Sequence, residues 1–188
     1  MINKKGFTLD KVQRLNSGFT LIELLIVIAI LGVLASGVFI AINPLQKLQQ
    51  ARNAQRKMDL GSLANALEAY AISHNGQYPT TNLAWCGPVG SYYDCGQDWI
   101  PGLVISGELK TLPKDPKTGQ SFLPCNDSRS VGYLYRSNGT DYKLLDHCGP
   151  ECSDCTLGGD TYKTTDPFYD PTRPTRAWQH SSSGGARW

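Results

Sequence analysis

The chain has 188 residues, with 18 basic and 16 acidic side chains, a formal net charge of +2 and six cysteines. This length fits one membrane helix followed by one domain of roughly 100–150 residues. The nearly balanced charge argues against a protein that binds nucleic acid over the bulk of its domain, because such proteins are usually basic.

A short polar leader, residues 1–18, begins the chain. It holds four basic residues and one acid, so its removal from the totals leaves 14 basic and 15 acidic residues, a net charge of −1. An ordinary secretory signal has its small-residue cleavage site after the apolar core. Here the small residues Ser17 and Gly18 come before the apolar run, so cleavage after Gly18 would remove the leader and leave Phe19 as the new N-terminal residue.

The segment from Phe19 to Ile42 is long and apolar enough to form a membrane helix. At ~1.5 Å per residue it spans roughly 36 Å, which exceeds a hydrocarbon core of ~30 Å. Leu24 to Ile42 contains no charged residue, and Glu23 is the lone charge near the start. A lone carboxylate in lipid costs ~2.5–3.5 kcal/mol or more unless it finds a partner, so we expect Glu23 to have a specific role.

The motif Gly18-Phe19-Thr20-Leu21-Ile22-Glu23-Leu24 resembles the class III signal of type IV pilins and of type II secretion pseudopilins. The resemblance implies cleavage after Gly18 by a prepilin peptidase, N-methylation of Phe19 and assembly into a helical filament. Because the apolar helix offers no Lys or Arg, the α-amino group created at Phe19 is the available cation for Glu23. Thr20 would add a hydrogen bond, so Glu23 and Thr20 are the predicted assembly residues.

A second Gly-Phe-Thr-Leu occurs at Gly6–Leu9. Charged and polar residues follow it instead of an apolar run. We therefore interpret it as a decoy and not as a processing site.

Gly32, Gly37 and Pro44 are the predicted weak points of the helix. Pro44 lacks a backbone N–H and should kink or loosen the helix near Ile40–Asn43, while the two glycines weaken it further upstream. Gly32 falls where the family also tends to have glycine. Many family members carry a helix-breaking proline at the position of Ile40, so the break is expected later in this chain.

Helical periodicity continues beyond Pro44 as an amphipathic segment. Leucine, alanine and tyrosine recur at spacings of three and four, with charged residues between them. The helix should end near Asn75-Gly76, where glycine can take the left-handed cap conformation. The charged residues predicted to form a solvated face are Lys47, Arg52, Arg56, Lys57, Asp59 and Glu68.

The following region predicts a small antiparallel sheet with a loop-rich, disulfide-bearing C-terminal part. Alternating runs at Val131–Arg136 and Asp141–Leu145 flank Asn138-Gly139, the strongest short hairpin signal. A short helix or strand could form around Val104–Leu112. We therefore predict an α+β, pilin-like fold, in which a long N-terminal α-helix, transmembrane in one half and amphipathic in the other, packs on a small antiparallel β-sheet.

The last residues are rich in Pro, Asp, Thr, Ser and Gly and show no core-forming pattern, so we expect an extended or disordered tail, part of which could lie over the domain. Arginine together with tryptophan can stack on nucleobases or sugars, although a solubilising tail is the plainer interpretation. These tail residues are Arg173, Arg176, Trp178, Arg187 and Trp188.

The sequence as a whole divides into five predicted parts. They are a leader (1–18), a hydrophobic transmembrane and polymerisation helix (19–43), an amphipathic helix (44–76), a globular head (77–163) and a flexible tail (164–188).

All six cysteines lie after the apolar helix, in the part that would be exported. An oxidising compartment favours disulfides. Cys86 and Cys95 enclose a short glycine-containing loop, and we predict that they form one bridge. Cys125 would then pair with one of the three later cysteines. These are Cys148, Cys152 and Cys155, whose spacing also fits a thiolate zinc site that Cys125 or His147 could complete.

Other candidate ligands and catalytic residues are scattered. Carboxylate oxygens suit calcium, and the resemblance would allow that ion, but the Ser-Gly-Asp-Gly type of loop is not evident, so we expect solvated acids. No histidine is paired with a nucleophile, which argues against a catalytic triad. The acids are Asp141, Asp146, Glu151, Asp154 and Asp160, and the histidines are His74, His147 and His180.

These features together predict a structural subunit of a type IV pilus-like filament with no catalytic residue and no required cofactor. The alternatives are a pseudopilin of a type II secretion system, a minor pilin that binds DNA or a surface ligand, and an enzyme anchored by an uncleaved helix. The resemblance implies a prepilin peptidase, inner-membrane assembly machinery and identical subunits in a helical homopolymer as partners. It also implies a precursor in the cell membrane and an extracellular or cell-surface filament after assembly.

Overall fold

The computed structural model describes residues 18–87, 95–96, 98–120, 131–151, 163–175 and 177–188, without the side chains of residues 39–41. The chain divides into two compact units, Met1–Asn43 and Pro44–Trp188. The second unit is larger than the predicted globular head (77–163), because it includes the amphipathic helix and the C-terminal residues. From here on, the head means this second unit, and it contains all the described hydrophobic core clusters. The fold is α+β and pilin-like, as predicted.

Helix α1, Leu21–Ile42, is the apolar helix of the first unit. Gly32 and Gly37 lie inside it, and the helix continues through both. An isolated glycine costs only ~1 kcal/mol relative to alanine and keeps its backbone hydrogen bonds, which explains why neither glycine interrupts α1. The helix ends at Asn43, which has a left-handed φ of 46°, and Pro44 begins the next helix.

Helix α2, Pro44–Ser73, lays one side on the sheet. Leu60, Leu63 and Leu67 are fully buried in the core. The prediction of a solvated charged face is wrong at Arg56, which is also fully buried, because acidic side chains from distant parts of the head surround it.

The sheet contains three antiparallel strands in the order β1-β2-β3: β1 is Gly132–Ser137, β2 is Tyr142–His147 and β3 is Ala177–Ser181. The predicted hairpin is present, with Ser137 opposite Tyr142 and a left-handed Gly139 in the connecting turn. The side chain of Asn138 accepts hydrogen bonds from the backbone of the two residues that lead into β2. The inner face of the sheet and α2 enclose the main core, whose largest members from the sheet are Tyr133, Tyr135, Tyr142, Leu144 and Trp178.

The connection after α2 has no helix or strand around Val104–Leu112, contrary to the prediction. This part of the chain forms consecutive turns. Its upstream residues Trp99, Ile100 and Leu103 are fully buried against the core. The apolar residues in this region therefore fill space in the core without forming a regular element.

The C-terminal residues are not the flexible tail that the sequence predicts. They form β3, which pairs with β2 from His147 opposite Ala177 to Lys143 opposite Ser181. Trp178 is 2% exposed and belongs to the main core. The physical reason is that β2 would otherwise be an unpaired sheet edge, and the tail supplies both its backbone partners and a large apolar side chain.

The predicted bridge between Cys86 and Cys95 is present. Cys148 is also disulfide-bonded, which excludes it as a thiolate ligand for zinc. Cys125, Cys152 and Cys155 lie outside the described residues.

Replacing Cys86 and Cys95 together with alanine is expected to lower the free energy of unfolding by about 2–3 kcal/mol, because the bond restricts the unfolded chain. Urea unfolding of the head, residues 44–188, measures this change. Peptide mapping under non-reducing conditions must first show the Cys86–Cys95 link in the wild type. An unchanged urea midpoint in the double variant would contradict the expected stabilisation.

Candidate functional site

The start of α1 is a capping box formed by Thr20 and Glu23. The backbone N–H of Thr20 donates to Oε2 of Glu23 at 2.8 Å, and its hydroxyl donates to the same oxygen at 2.7 Å. In return, the backbone N–H of Glu23 donates to Oγ1 of Thr20 at 3.3 Å. Such reciprocal bonds satisfy donors that a helix N-terminus otherwise leaves without partners.

Glu23 therefore has partners within a single chain. A hydrogen bond with Thr20 is predicted from the sequence, but its form as a capping box is not. The spacing Thr-x-x-Glu before an apolar run is the sequence signature of a capping box and could have identified it. A carboxylate at this place also interacts favourably with the positive end of the helix dipole. The cap and the predicted pairing with a cation are consequently two separate roles that Glu23 can fill.

The Gly18–Phe19 junction lies immediately before this cap and outside the helix. Gly18 is exposed, and a Cβ atom added to it would meet nothing within 4 Å. Phe19 is 80% exposed. Among the described residues, therefore, no atom crowds the Gly18–Phe19 junction.

The described side chains of α1, from Leu21 to Val38 and at Ile42, are all exposed within the single chain. The segment Leu21–Val38 is long and apolar enough to cross a membrane, and none of it is buried. A helix that is apolar all round is stable only inside a membrane or inside a bundle of other helices. The apolar surface of α1 must therefore be covered by lipid, by neighbouring helices, or first by lipid and later by helices.

A second group of charged side chains surrounds Arg56 in the head. Its Nε donates to Oδ2 of Asp115 at 2.5 Å, and its Nη1 donates to Oε1 of Glu151 at 3.1 Å. Oδ2 of Asp146 lies 3.7 Å from the same Nε. Arg52 binds both carboxylate oxygens of Glu151, at 2.5 and 2.6 Å. We call these five residues the Arg56 cluster.

Burial and pairing act in opposite directions on the carboxylates of the Arg56 cluster. Burial opposes ionisation of Glu151, but hydrogen bonds from Arg52, Lys117 and Arg56 outweigh it and lower its pKa to about 2. Complete burial and the nearby charge of Asp115 raise the pKa of Asp146 well above its usual value, although Arg56 partly offsets this effect. Glu151 is therefore the firmly ionised partner of the cluster.

The acids and histidines predicted as possible ligands do not converge in the described part of the chain, where no group of three or more His, Cys, Asp or Glu could hold a metal ion. Asp146 and Glu151 are buried, not solvated as predicted. Asp141 accepts hydrogen bonds from Ser182 and Gly184, and Asp154 and Asp160 lie outside the described residues. His74 stacks on Tyr70, His147 lies in β2, and His180 contacts Tyr142.

Known proteins resemble this chain both in its N-terminal helix and over much of its length. A family model described as a prokaryotic N-terminal methylation motif matches residues 13–39. The chain is 33% identical over 131 residues to the type II secretion system core protein G of Escherichia coli (strain K12), covering 68% of this chain and 83% of that protein. It is 34% identical over 113 residues to the core protein G of Vibrio cholerae, covering 56% and 68%. No solved structure matches the chain.

Proposed function

Since the chain belongs to the family of type IV pilins and type II secretion pseudopilins, we propose that it is a structural subunit of a type II secretion pseudopilus. This alternative is favoured over the type IV pilus subunit that the sequence alone predicts, because the relatives from E. coli and V. cholerae are both core proteins G of type II secretion systems. The chain is a structural subunit rather than an enzyme. The 33% identity over 83% of the E. coli protein supports the proposal most directly.

In this proposal a prepilin peptidase cleaves after Gly18, and Phe19 is then N-methylated. The methylation motif spans residues 13–39 and therefore includes both positions. The accessible junction ahead of the capping box suits a peptidase that must reach an extended segment at the membrane surface. Cleavage removes the positively charged leader and creates an α-amino group four residues before Glu23.

Assembly follows from the exposed apolar surface of α1. The bilayer covers this surface in the precursor, and the α1 helices of identical subunits cover it in the pseudopilus. In that bundle the carboxylate of Glu23 leaves water, and an unpaired buried charge costs several kcal/mol. The α-amino group of Phe19, from the same or a neighbouring subunit, supplies the cation. Pairing with a neighbour would also set the axial offset of successive subunits.

The proposed location is the inner membrane for the precursor and the periplasm for the assembled head. This location differs from the extracellular or cell-surface filament expected from the sequence alone, and it follows from the proposed role in a type II secretion system. The disulfide in the head fits an oxidising compartment outside the cytoplasm.

Gly18→Leu is expected to leave the full-length precursor in the membrane, because the bulky side chain would occupy the position next to the scissile bond. Intact-mass measurement of the membrane-extracted protein would show loss of the leader and addition of one methyl group in the wild type but not in Gly18→Leu. Gly6→Leu, in the decoy Gly-Phe-Thr-Leu, is the matched control and should be processed normally. Wild-type cleavage of Gly18→Leu would refute the assigned site.

Secretion separates the proposed function from the pilus alternative. In a strain deleted for the gene, the wild type should restore release of a type II substrate into the medium, and Gly18→Leu should not. Unimpaired secretion in the deletion strain, together with loss of sheared surface filaments, would instead assign the chain to a type IV pilus.

A further inference from the structure

Two arginines and two tryptophans form a stack on the outer face of the sheet. In β1, Tyr133 and Tyr135 point into the core below α2, so Arg136 points to the opposite face. Its guanidinium carbon lies 5.4 Å from the ring centroids of both Trp85 and Trp188. The guanidinium of Arg173 lies 5.2 Å from Trp85. We call Trp85, Arg136, Arg173 and Trp188 the Arg–Trp stack.

The Arg–Trp stack stands in a region with more positive than negative charge. Lys143 is opposite Arg136 in the sheet and is fully buried. Asp170 is the acidic side chain that binds there, shared between Lys143 at 3.1 Å and Arg173 at 3.2 Å. The O atom of Trp188 also accepts hydrogen bonds from Lys143 at 2.9 Å and from Arg173 at 3.3 Å. Asp170 also accepts two hydrogen bonds from Thr172, so most of the hydrogen-bond acceptor sites on its carboxylate are occupied.

Arg136 is the cation left without an anionic partner. No acidic side chain in the described ranges forms an ion pair with it, and its buried Nε has no hydrogen-bond partner. Its stabilising contacts are the two indole rings, which attract a cation within about 6 Å of their centroids. Burying a charged donor without a hydrogen-bond partner is unfavourable, so an anion that reached this guanidinium would be bound favourably.

A guanidinium group that lies over an aromatic ring can still donate hydrogen bonds in its own plane, through its N–H groups. The guanidinium of Arg136 lies over both indole rings, and no hydrogen bond within the described residues uses its N–H groups. All four residues of the stack are partly exposed, so a carboxylate can reach the N–H groups of Arg136 other than the buried Nε. Arg173 over the same indole ring adds a second positive charge, although its Nη1 already donates to Asp170, Thr172 and the O atom of Trp188.

We propose that the Arg–Trp stack binds the carboxylates of an acidic peptide segment from a partner polypeptide. The two guanidinium groups provide charge complementarity, and the indoles hold them in fixed orientations. Single-stranded nucleic acid fits less well, because its binding relies on free aromatic faces and a cationic groove along the backbone. Here arginines already occupy indole faces, and the chain as a whole carries a net charge of only +2.

This proposal changes the interpretation of the C-terminal arginines and tryptophans. Arg173 and Trp188 belong to the stack, while Trp178 is a core residue. Arg176 lies outside the described residues. Arg187 is exposed and makes no ring contact with the stack, which makes it a matched control from the same part of the chain.

The test measures binding of a fluorescein-labelled peptide of alternating Glu and Gly to the full chain in detergent micelles, by fluorescence anisotropy. A peptide of alternating Gln and Gly is the uncharged control. At low ionic strength the Glu peptide should bind and the Gln peptide should not. Arg136→Leu should weaken binding by about tenfold or more, and Arg187→Leu should change it by less than about twofold.

Arg136→Lys keeps the charge but loses the planar fork, and it should also weaken binding. Circular dichroism checks the fold of each variant, and Arg136→Lys decides the question if Arg136→Leu does not fold. Wild-type binding by Arg136→Lys, or equal weakening by Arg187→Leu, would overturn the proposal. Tighter binding of an oligothymidylate, or displacement of the peptide by inorganic phosphate at equal concentration, would assign the stack to nucleic acid or to a free anion instead.

Discussion

Replacing Arg56 with leucine is expected to lower the free energy of unfolding of the head by about 3–5 kcal/mol, because removing one partner leaves buried charges uncompensated. A typical domain is stable by only about 5–15 kcal/mol, so this single change would remove a large part of the total. The change in the free energy of unfolding is measured by urea unfolding of residues 44–188, with circular dichroism as the readout.

The size of this effect follows from the position of Arg56. It lies on α2 and binds Asp115 and Glu151, which are 59 and 95 residues away in the sequence. Arg52 and Lys117 would still neutralise Glu151 in the variant. Asp115 would lose its ion-pair partner, and Asp146 would lose the arginine that lies 3.7 Å from its carboxylate.

Lys47→Leu is the matched control, since Lys47 lies on the same helix but is exposed. It should change stability by less than about 0.5 kcal/mol. Adding Asp115→Leu and Asp146→Leu to Arg56→Leu should restore part of the loss, because apolar replacement of buried ionic partners together is often neutral, and Glu151 keeps its ion pair with Arg52. A loss below about 1 kcal/mol for Arg56→Leu alone would contradict the structural role assigned to the cluster.

The Arg56 cluster marks a limit of sequence-based reasoning about this fold. Helical spacing places Arg56 between other charged residues, and nothing local distinguishes a buried arginine from a solvated one. Its burial depends on carboxylates that only the tertiary fold brings close. By contrast, the turn at Asn138-Gly139 and the bridge between Cys86 and Cys95 depend on short-range geometry, and the sequence predicts both.

The third strand shows a different limit. Ala177–Ser181 has five residues and follows a segment rich in proline, so its own pattern does not indicate a strand. It becomes one because β2 presents a free edge and the core accepts Trp178. The spacing Thr-x-x-Glu alone indicates the capping box at Thr20 and Glu23. The lone charge of Glu23 in an apolar helix indicates an ion pair as well, and the two interpretations are compatible.

Glu23→Gln is expected to leave membrane insertion and cleavage largely intact but to reduce pseudopilus assembly strongly. Glutamine removes the charge that the α-amino group of Phe19 would neutralise in the packed bundle of α1 helices. Glu23→Ala should have the same result. The measurement compares assembled filaments from strains that overproduce each variant with immunoblots of the membrane fraction, which report the amount of processed subunit.

Thr20→Ala separates the charge of Glu23 from its capping role. Glutamine at position 23 can still complete a capping box, so Glu23→Gln removes the charge and keeps the cap. Thr20→Ala keeps the charge and removes the cap, which should cost only ~1 kcal/mol of helix stability. If ion pairing controls assembly, Thr20→Ala assembles well and Glu23→Gln does not. If Glu23→Gln gives wild-type filament yield while Thr20→Ala fails, Glu23 acts as a helix cap and the pairing with Phe19 is refuted.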